Sequence, residues 1–524
     1  PSGSLLDASI RVQNAANEEQ SALVVADAGG IPGATASVSF DAVGGAQYWV
    51  IVDGLGDSTG TYKILVNSQP LVNQLYFPEG YLNESISEFI SVINPTNSDA
   101  TFRIVFRYEM ENVQLESRTR LLTIGANTRS GVTMRDPWYF EADGVPMLQN
   151  TPYAMVIESS VPLGATLAHY DFGTSIGDTF TERLSSSWTF PRVERNPGAV
   201  QDFIVFYNPN NFAVNVKLTG FNKDGIESSI ELTFPALRRA GYAIDQLTQM
   251  PLGVFGAILT AEAAFSVDEA NFQGIVASLS HYSPLTGSSF AVLGDPDGGS
   301  KEGVITNLAQ GERFNSEIVL FNPNDFLVNV TITPSYIRTA LPQLPRTYQL
   351  QPKRTTVITG ASLGLVADQP VGITYTSSAP VNVNSNQTQQ GDADSTNTST
   401  EAATRFFFGD AYVQSDKAGV LYFETLYMHN PANIATTISI RLAFTDGSTS
   451  TVNVNVGPKG FAELELHKLA AVTTQRSGAI WFGVDASAAT PFNISMVHYD
   501  LALGGGWSTS GIPFGPTNAL TTIA

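Results

Sequence analysis

Two stretches match Gly-x-Ser-x-Gly, namely Gly56-Asp-Ser58-Thr-Gly60 and Gly173-Thr-Ser175-Ile-Gly177. That pattern can present a nucleophilic serine on a strand-to-helix turn, with histidine and acid partners supplied from elsewhere. Neither match is followed by a helical period, and Ser58 leads straight into the strand-like Gly60-Thr-Tyr62. Loose matches of this kind arise readily in Gly/Ser-rich turns, so no catalytic serine is expected. Of five histidines, His169, His281 and His498 recur in one slot of a repeating unit, each followed by tyrosine. A remaining copy offers Gln387 in that slot. Side chains spread over separate modules cannot share a zinc ion, so a structural bond near each module junction is expected instead.

Paired carboxylates in Asp295-Pro-Asp297-Gly-Gly-Ser300 and Gly391-Asp392-Ala-Asp394-Ser-Thr396 suit a hard cation such as calcium. Neither stretch has the twelve-residue loop of an EF-hand. The expectation is a solvated acidic linker, with calcium stiffening at Asp295, Asp297, Asp392 and Asp394 as its alternative. Sequons place glycan acceptors at Asn83, Asn329, Asn386, Asn397 and Asn493, of which Asn386 and Asn397 flank the most loop-like stretch. Trp138-Tyr139-Phe140, Trp481 and Trp507 are the aromatics that would serve as sugar platforms if exposed, against a plainer reading as core.

The composition narrows the partners. Net charge is −21 with only 14% charged residues, so the basic footprint that a phosphate backbone needs is missing. An anionic membrane surface is disfavoured for the same reason. Cysteine is absent, which removes disulfides, thiolate metal sites and a cysteine nucleophile. No run approaches the roughly 18 apolar residues of a membrane-spanning helix. Pro1 opens directly in polar sequence, so an export signal, if the chain is secreted, has been removed.

These residues are positioned by a repeat. Asn94-Pro95, Asn208-Pro209, Asn322-Pro323 and Asn430-Pro431 are spaced by 114, 114 and 108 residues. Each pair ends an apolar strand-like run, such as Asp202 to Tyr207, and a second alternating run follows, such as Val214 to Leu218. Asparagine bonds its own following backbone and proline cannot join a ladder, so the pair closes a strand. A second landmark lies 30 to 35 residues on, where a basic residue follows a turn: Arg129, Arg239, Arg354 and Lys459. A solvated turn or a bond to a neighbouring carbonyl is its expected role. Single helical turns are expected over 245–250 and 467–471. A hairpin carrying the His-Tyr slot ends each copy.

The spacing predicts an all-β chain with Ig-like sandwiches of about seven strands at 75–184, 187–294, 303–403 and 405–515, and a tail at 516–524. Short joints predict an elongated rod.

Residues 1–68 read differently: Leu6-Asp7, then Val24 to Asp27, then Tyr48 to Val52, then Gly60-Thr-Tyr62. This resembles the second half of a bacterial pre-peptidase C-terminal-type domain, a secreted jelly-roll-like module. The family's leading strands are absent, so the resemblance implies sequence upstream of Pro1 or strands from another molecule. The repeats are similar, more loosely, to tandem Ig-like modules of bacterial surface and secreted proteins. Together these imply export. The favoured reading is a non-enzymatic extracellular subunit of a surface filament or layer, a homo-oligomer assembled by β-strand addition. The alternatives are an adhesin that binds glycans and the accessory region of a secreted hydrolase.

Overall fold

The computed structural model describes residues 8–14, 24–27, 48–54 and 71–519, the last range without 111–114, 141–144, 172–173, 297, 339–340, 342–343, 390–391, 400, 503–504 and 515–516. The chain divides into two compact units, Pro1–Pro70 and Leu71–Ala524. In the first, Ala8–Asn14 pairs antiparallel with Val24–Asp27 on one side and Tyr48–Gly54 on the other. The Gly60-Thr-Tyr62 strand and Ser58 lie outside the described residues.

The second unit is built from strands, as its period-two runs dictate. Single helical turns fall at Ile244–Gln246, Leu466–Lys468 and Ala470–Thr473, close to the two expected places. Repeat 2 shows the plan. Its strands are β1 (Ser187–Arg195), β2 (Gln201–Asn208), β3 (Val214–Phe221), β4 (Glu227–Phe234), β5 (Arg238–Ala243), β6 (Gly253–Ala263), β7 (Val276–Ser283) and β8 (Ser288–Leu293). They form two antiparallel sheets, ordered β1-β6-β3-β4 and β5-β2-β7-β8. The same positions recur in the other copies, and the labels β1–β8 are used for all four. In repeats 3 and 4, β6 and β7 are one continuous strand, Val371–Gln389 and Ala479–Asp500, that passes from one sheet to the other.

Each sandwich therefore has eight strand positions, which amount to the expected seven strands in repeats 3 and 4 and to eight in repeat 2. The last position is clearest in repeat 3, where the acidic stretch expected as a linker is instead the strand Asp392–Asn397, paired with Asn384–Gln389 and followed by the first strand of repeat 4 from Glu401. This strand lacks apolar alternation because its buried Asp394 and Ser395 meet the hydroxyls and amides of other strands. Within the tail, Thr517–Ala519 pairs with Glu401–Ala403 of its own repeat.

The Asn-Pro asparagines do more than end a strand. All four are fully buried. In each, Oδ1 accepts from the backbone N–H two residues on, at 2.9–3.0 Å. Nδ2 donates to the carbonyl four residues on, at 2.7–3.0 Å. The same amide also reaches a carbonyl in the β4–β5 turn, for example Pro235 at 2.9 Å and Leu350 at 3.0 Å. One side chain thus joins the two sequence landmarks. The turn it holds carries a positive φ at Asn127, Leu237, Lys353 and Lys459, and each of these donates its N–H to the residue two past the asparagine.

The repeats close on one another. The β8 strand of repeat 1 (Thr174–Thr179) packs on those of repeat 2 and repeat 4 (Gly505–Thr509), and the β8 strand of repeat 3 packs on the same two. Around this centre, β5 of each repeat lies against the preceding repeat. One register slot, opposite the residue before the Asn-Pro pair, holds Arg129, Arg239, Thr355 and Phe461. Arg239 meets Glu79 at 3.3 Å and also Glu109 of repeat 1. Thr355 donates to the Pro191 carbonyl of repeat 2 at 3.1 Å. Phe461 fills the space over Gly372 of repeat 3, and Phe321 likewise covers Gly256 of repeat 2; a Cβ at either glycine would lie 2.1 and 2.3 Å from the ring. Arg129 pairs with Asp410 of repeat 4 at 3.1 Å.

Repeat 1 is therefore as much a neighbour of repeat 4 as of repeat 2. The rod expected from the short joints is corrected to a closed cycle of four sandwiches, because every module has a side face that must be buried. The solvated turn is corrected at Arg129 and Arg239, whose side chains are 6% and 9% exposed at a joint, while the expected bond to a carbonyl is made by Arg129 to Gly409 at 3.0 Å and by Arg354 to Asp224 at 3.2 Å.

Candidate ligand cleft and the buried charges around it

The three histidines sit on β7, each directly opposite a β2 carboxylate. His169 meets Glu88 at 2.6 Å, His281 meets Asp202 at 2.6 Å and His498 meets Glu424 at 2.7 Å. Each carboxylate also accepts a backbone N–H from or beside β1, from Tyr81, Glu194 and Tyr412 in turn. The pair therefore ties three strands together inside the module, a structural bond as expected. Burial opposes the charge on His498, but the carboxylate of Glu424 beside it holds the imidazole above its ordinary range, at about 9. Burial in turn pushes Glu424 upward. Of the two shifts, that of His498 is the better supported by geometry, since Glu424 also receives the Tyr412 N–H. In repeat 3 the residue opposite Glu317 is Asn386, which donates to it at 3.4 Å. Gln387 is one position off the slot and bonds instead to the Ala309 N–H and, across to repeat 4, the Tyr499 hydroxyl at 2.9 Å.

The acidic pairs read as linkers are placed differently. Asp295 accepts from the Asn382 amide at 2.6 Å. Asp394 accepts from the Tyr499 hydroxyl of repeat 4, and burial pushes its carboxyl up to about 6. Asp178 on β8 of repeat 1 is likewise pushed up to about 6 by burial, while it accepts the Leu293 N–H of repeat 2 at 3.0 Å. Asp297 lies outside the described residues, as does the side chain of Asp392. Among the described residues no three His, Asp or Glu side chains gather to hold a cation.

Of the sequon asparagines, Asn329 is exposed and Asn83 and Asn397 are half-buried. Asn386 and Asn493 are buried strand residues, and Asn493 donates to Ser399 at 2.9 Å, so a glycan on either would have to displace packed structure. Ser175 is buried on β8 opposite Gly505, with no helix after it. Trp507 is core, stacked on His498 at 5.5 Å. Trp138 is exposed beneath the Arg120 guanidinium.

Trp481 has the most informative setting. It lines a cleft of about 1050 Å³ between repeats 1, 2 and 4. On one side Tyr412, Trp481, Phe89 and Tyr170 form a run of neighbouring rings, with centroids 4.2, 6.3 and 6.2 Å apart. On the other, Phe203 meets Tyr282 edge-on at 6.2 Å. Glu79, Arg239 and Asp500 add charge to the walls. The cleft exists because the cycle closes: β2 of repeat 1 turns Phe89 outward towards repeat 4, while Glu88 and Ile90 face inward. Trp481 stands out in sequence as a ring that would matter if exposed, and it is half-buried. Its partners were not legible, since they come from three repeats.

No family model matches the chain, and no curated protein matches it. Among solved structures, Thermotoga maritima 1070 shares 23% identity over 22% of this chain and 96% of its own, at a TM-score of 0.19. A tetra-tandem repeat from the extending region of a large adhesion protein shares 11% over 82% of this chain and 93% of its own, at 0.11. The BSP domain of a biofilm-associated protein shares 8% over 88% of this chain and 100% of its own, at 0.12. Scores this low carry no argument about what the chain does.

Proposed function

We propose that the protein is a non-enzymatic extracellular structural subunit of a cell-surface assembly, joined copy to copy by pairing of strand edges. The observation that carries this reading is the outer edge of repeat 4, strand Thr449–Val456. Among the described strands it pairs with Thr436–Phe444 alone, in unbroken register. Its eight residues, Thr-Ser-Thr-Val-Asn-Val-Asn-Val, include no charge and no proline. Natural sheets blunt such edges with charges, prolines or bulges, because an open edge recruits another strand. The equivalent edge of repeat 2, Glu227–Phe234, carries Glu227 and Glu231. The histidines support a non-enzymatic role, since three of the five are held in buried carboxylate pairs that serve as ties. Pairing at this edge replaces the donor-tail route, because the tail strand Thr517–Ala519 is engaged at home.

Negative-stain electron microscopy tests this. Concentrated wild type should form regular filaments or sheets, and Thr451→Lys with Asn453→Lys should leave dispersed particles. A wild type that stays monomeric at every concentration would sink the reading.

A further inference from the structure

We propose that the cleft between repeats 1, 2 and 4 is a binding site for an uncharged oligosaccharide, a function separate from edge assembly. Its volume is at the upper end of ordinary ligand pockets. Phe89, Tyr170, Phe203, Tyr412 and Trp481 are all half-buried, so each keeps part of its ring open to the cleft. Partly exposed aromatic faces suit the apolar C–H faces of sugar rings, as they suit any group that is apolar on one side and wet on the other. Two facing banks of rings fit a ligand held on both sides.

The polar complement fits hydroxyls. Thr174 lines the cleft at 4% exposure, and its Oγ1 has no hydrogen-bond partner. A buried hydroxyl left unmatched costs stability unless something satisfies it, and a ligand hydroxyl can both donate and accept. Asn83, Ser85 and Ser87 add amide and hydroxyl groups along the rim. The electrostatics select against an anion. Of the bases in the walls, Arg239 is already engaged by Glu79 and Glu109 and His169 by Glu88, and the chain carries −21 overall. Phosphorylated or uronic-acid sugars would therefore be repelled.

The probe set is a series of neutral tetrasaccharides of β-1,4-glucose, β-1,4-N-acetylglucosamine, α-1,4-glucose and β-1,4-xylose, read by tryptophan fluorescence and calorimetry on the full chain. At least one should bind saturably, with competition between fluorescence and heat signals at one site. Trp481→Ala should weaken it at least tenfold, and Trp138→Ala, which does not line the cleft, should leave it unchanged. Because Trp481 also packs at the joint of repeats 1 and 4, Phe203→Ala on the opposite bank serves as the second variant and should weaken binding likewise. The inference is overturned if no member binds at 10 mM. It is also overturned if binding survives both cleft variants, or if tetramethylammonium binds there while every sugar fails, which would make the rings a cation cage. Failure of filament formation leaves these outcomes unaffected.

Discussion

Asn94, Asn322 and Asn430 each bond four backbone groups through one amide and Asn208 bonds three, and each is sealed from water. The proline after each is what sequence reading notices first, yet the asparagine carries the bonds. Asn322→Ala would leave the Leu350 and Phe326 carbonyls and the Asn324 N–H without their partner. At roughly 1 kcal/mol for each lost bond, the expected loss is about 2–4 kcal/mol in urea unfolding, and Pro323→Ala should cost distinctly less. The strand-ending role was legible because asparagine and proline have local preferences. The link to the β4–β5 turn was not, because its partners lie 26 to 31 residues away and their carbonyls leave no mark in sequence. The misplacement of Gln387 has a similar origin: sequence spacing points to Gln387, whereas the ladder sets the slot opposite Glu317, at Asn386.

At the level of elements, strand period and turn residues gave the sheets, but β8 was hidden wherever it is polar. Asp392–Asn397 reads as linker because Asp, Ser, Thr and Asn are loop residues in water; at the centre of four modules the same groups bond one another. That setting has a pH signature. Burial raises Asp178 and Asp394 to about 6, so the folded chain binds protons that the unfolded chain has released. Their stabilising contribution is full below about 4 and is lost as pH rises through 6, at about 1.4 kcal/mol per unit and per group. Asp178→Asn and Asp394→Asn copy the protonated form. Each should gain on the order of 2 kcal/mol relative to wild type between pH 4.5 and 7.5, measured by urea midpoints. His429 runs the other way. Burial lowers its imidazole to about 4, so its contribution is present above about 6.5 and is lost as pH falls through 4. Joints between elements are testable by size instead: Gly256→Ala would push its Cβ into the Phe321 ring, at a cost of about 1–3 kcal/mol. Amide exchange should then rise over Arg354–Thr359, the β5 strand of repeat 3.

For the four-repeat unit, the decisive matter is closure, and linker length could not reveal it. Short joints say that successive modules touch; they say nothing about whether the last returns to the first. What returns it is a heterologous contact used four times, β5 of one repeat on the preceding one, which makes a ring when the rotation closes. Sequence holds a trace of this in Arg129 and Arg239, but Thr355 and Phe461 do the same work with different chemistry, so no residue type marks the slot. The joint between repeats 4 and 1 is the one that an open array would lack. Arg129 keeps only 6% of its side chain exposed there, donates to the Gly409 carbonyl at 3.0 Å and to Asp410 at 3.1 Å, and sits 5.4 Å over the Trp481 ring. Burial lowers its pKa and the Asp410 carboxylate raises it, so that carboxylate is the counter-charge of a desolvated guanidinium. Asp410→Ala would leave a buried guanidinium without its counter-charge, a loss of about 3–5 kcal/mol. Chain connectivity still holds the other three joints, so the loss should be local. Exchange should rise at Arg129–Thr133 and stay unchanged at Arg354–Thr359, where repeat 3 meets repeat 2. Unchanged exchange at both would mean that repeats 4 and 1 are not joined in solution, and the closed cycle would give way to an open row.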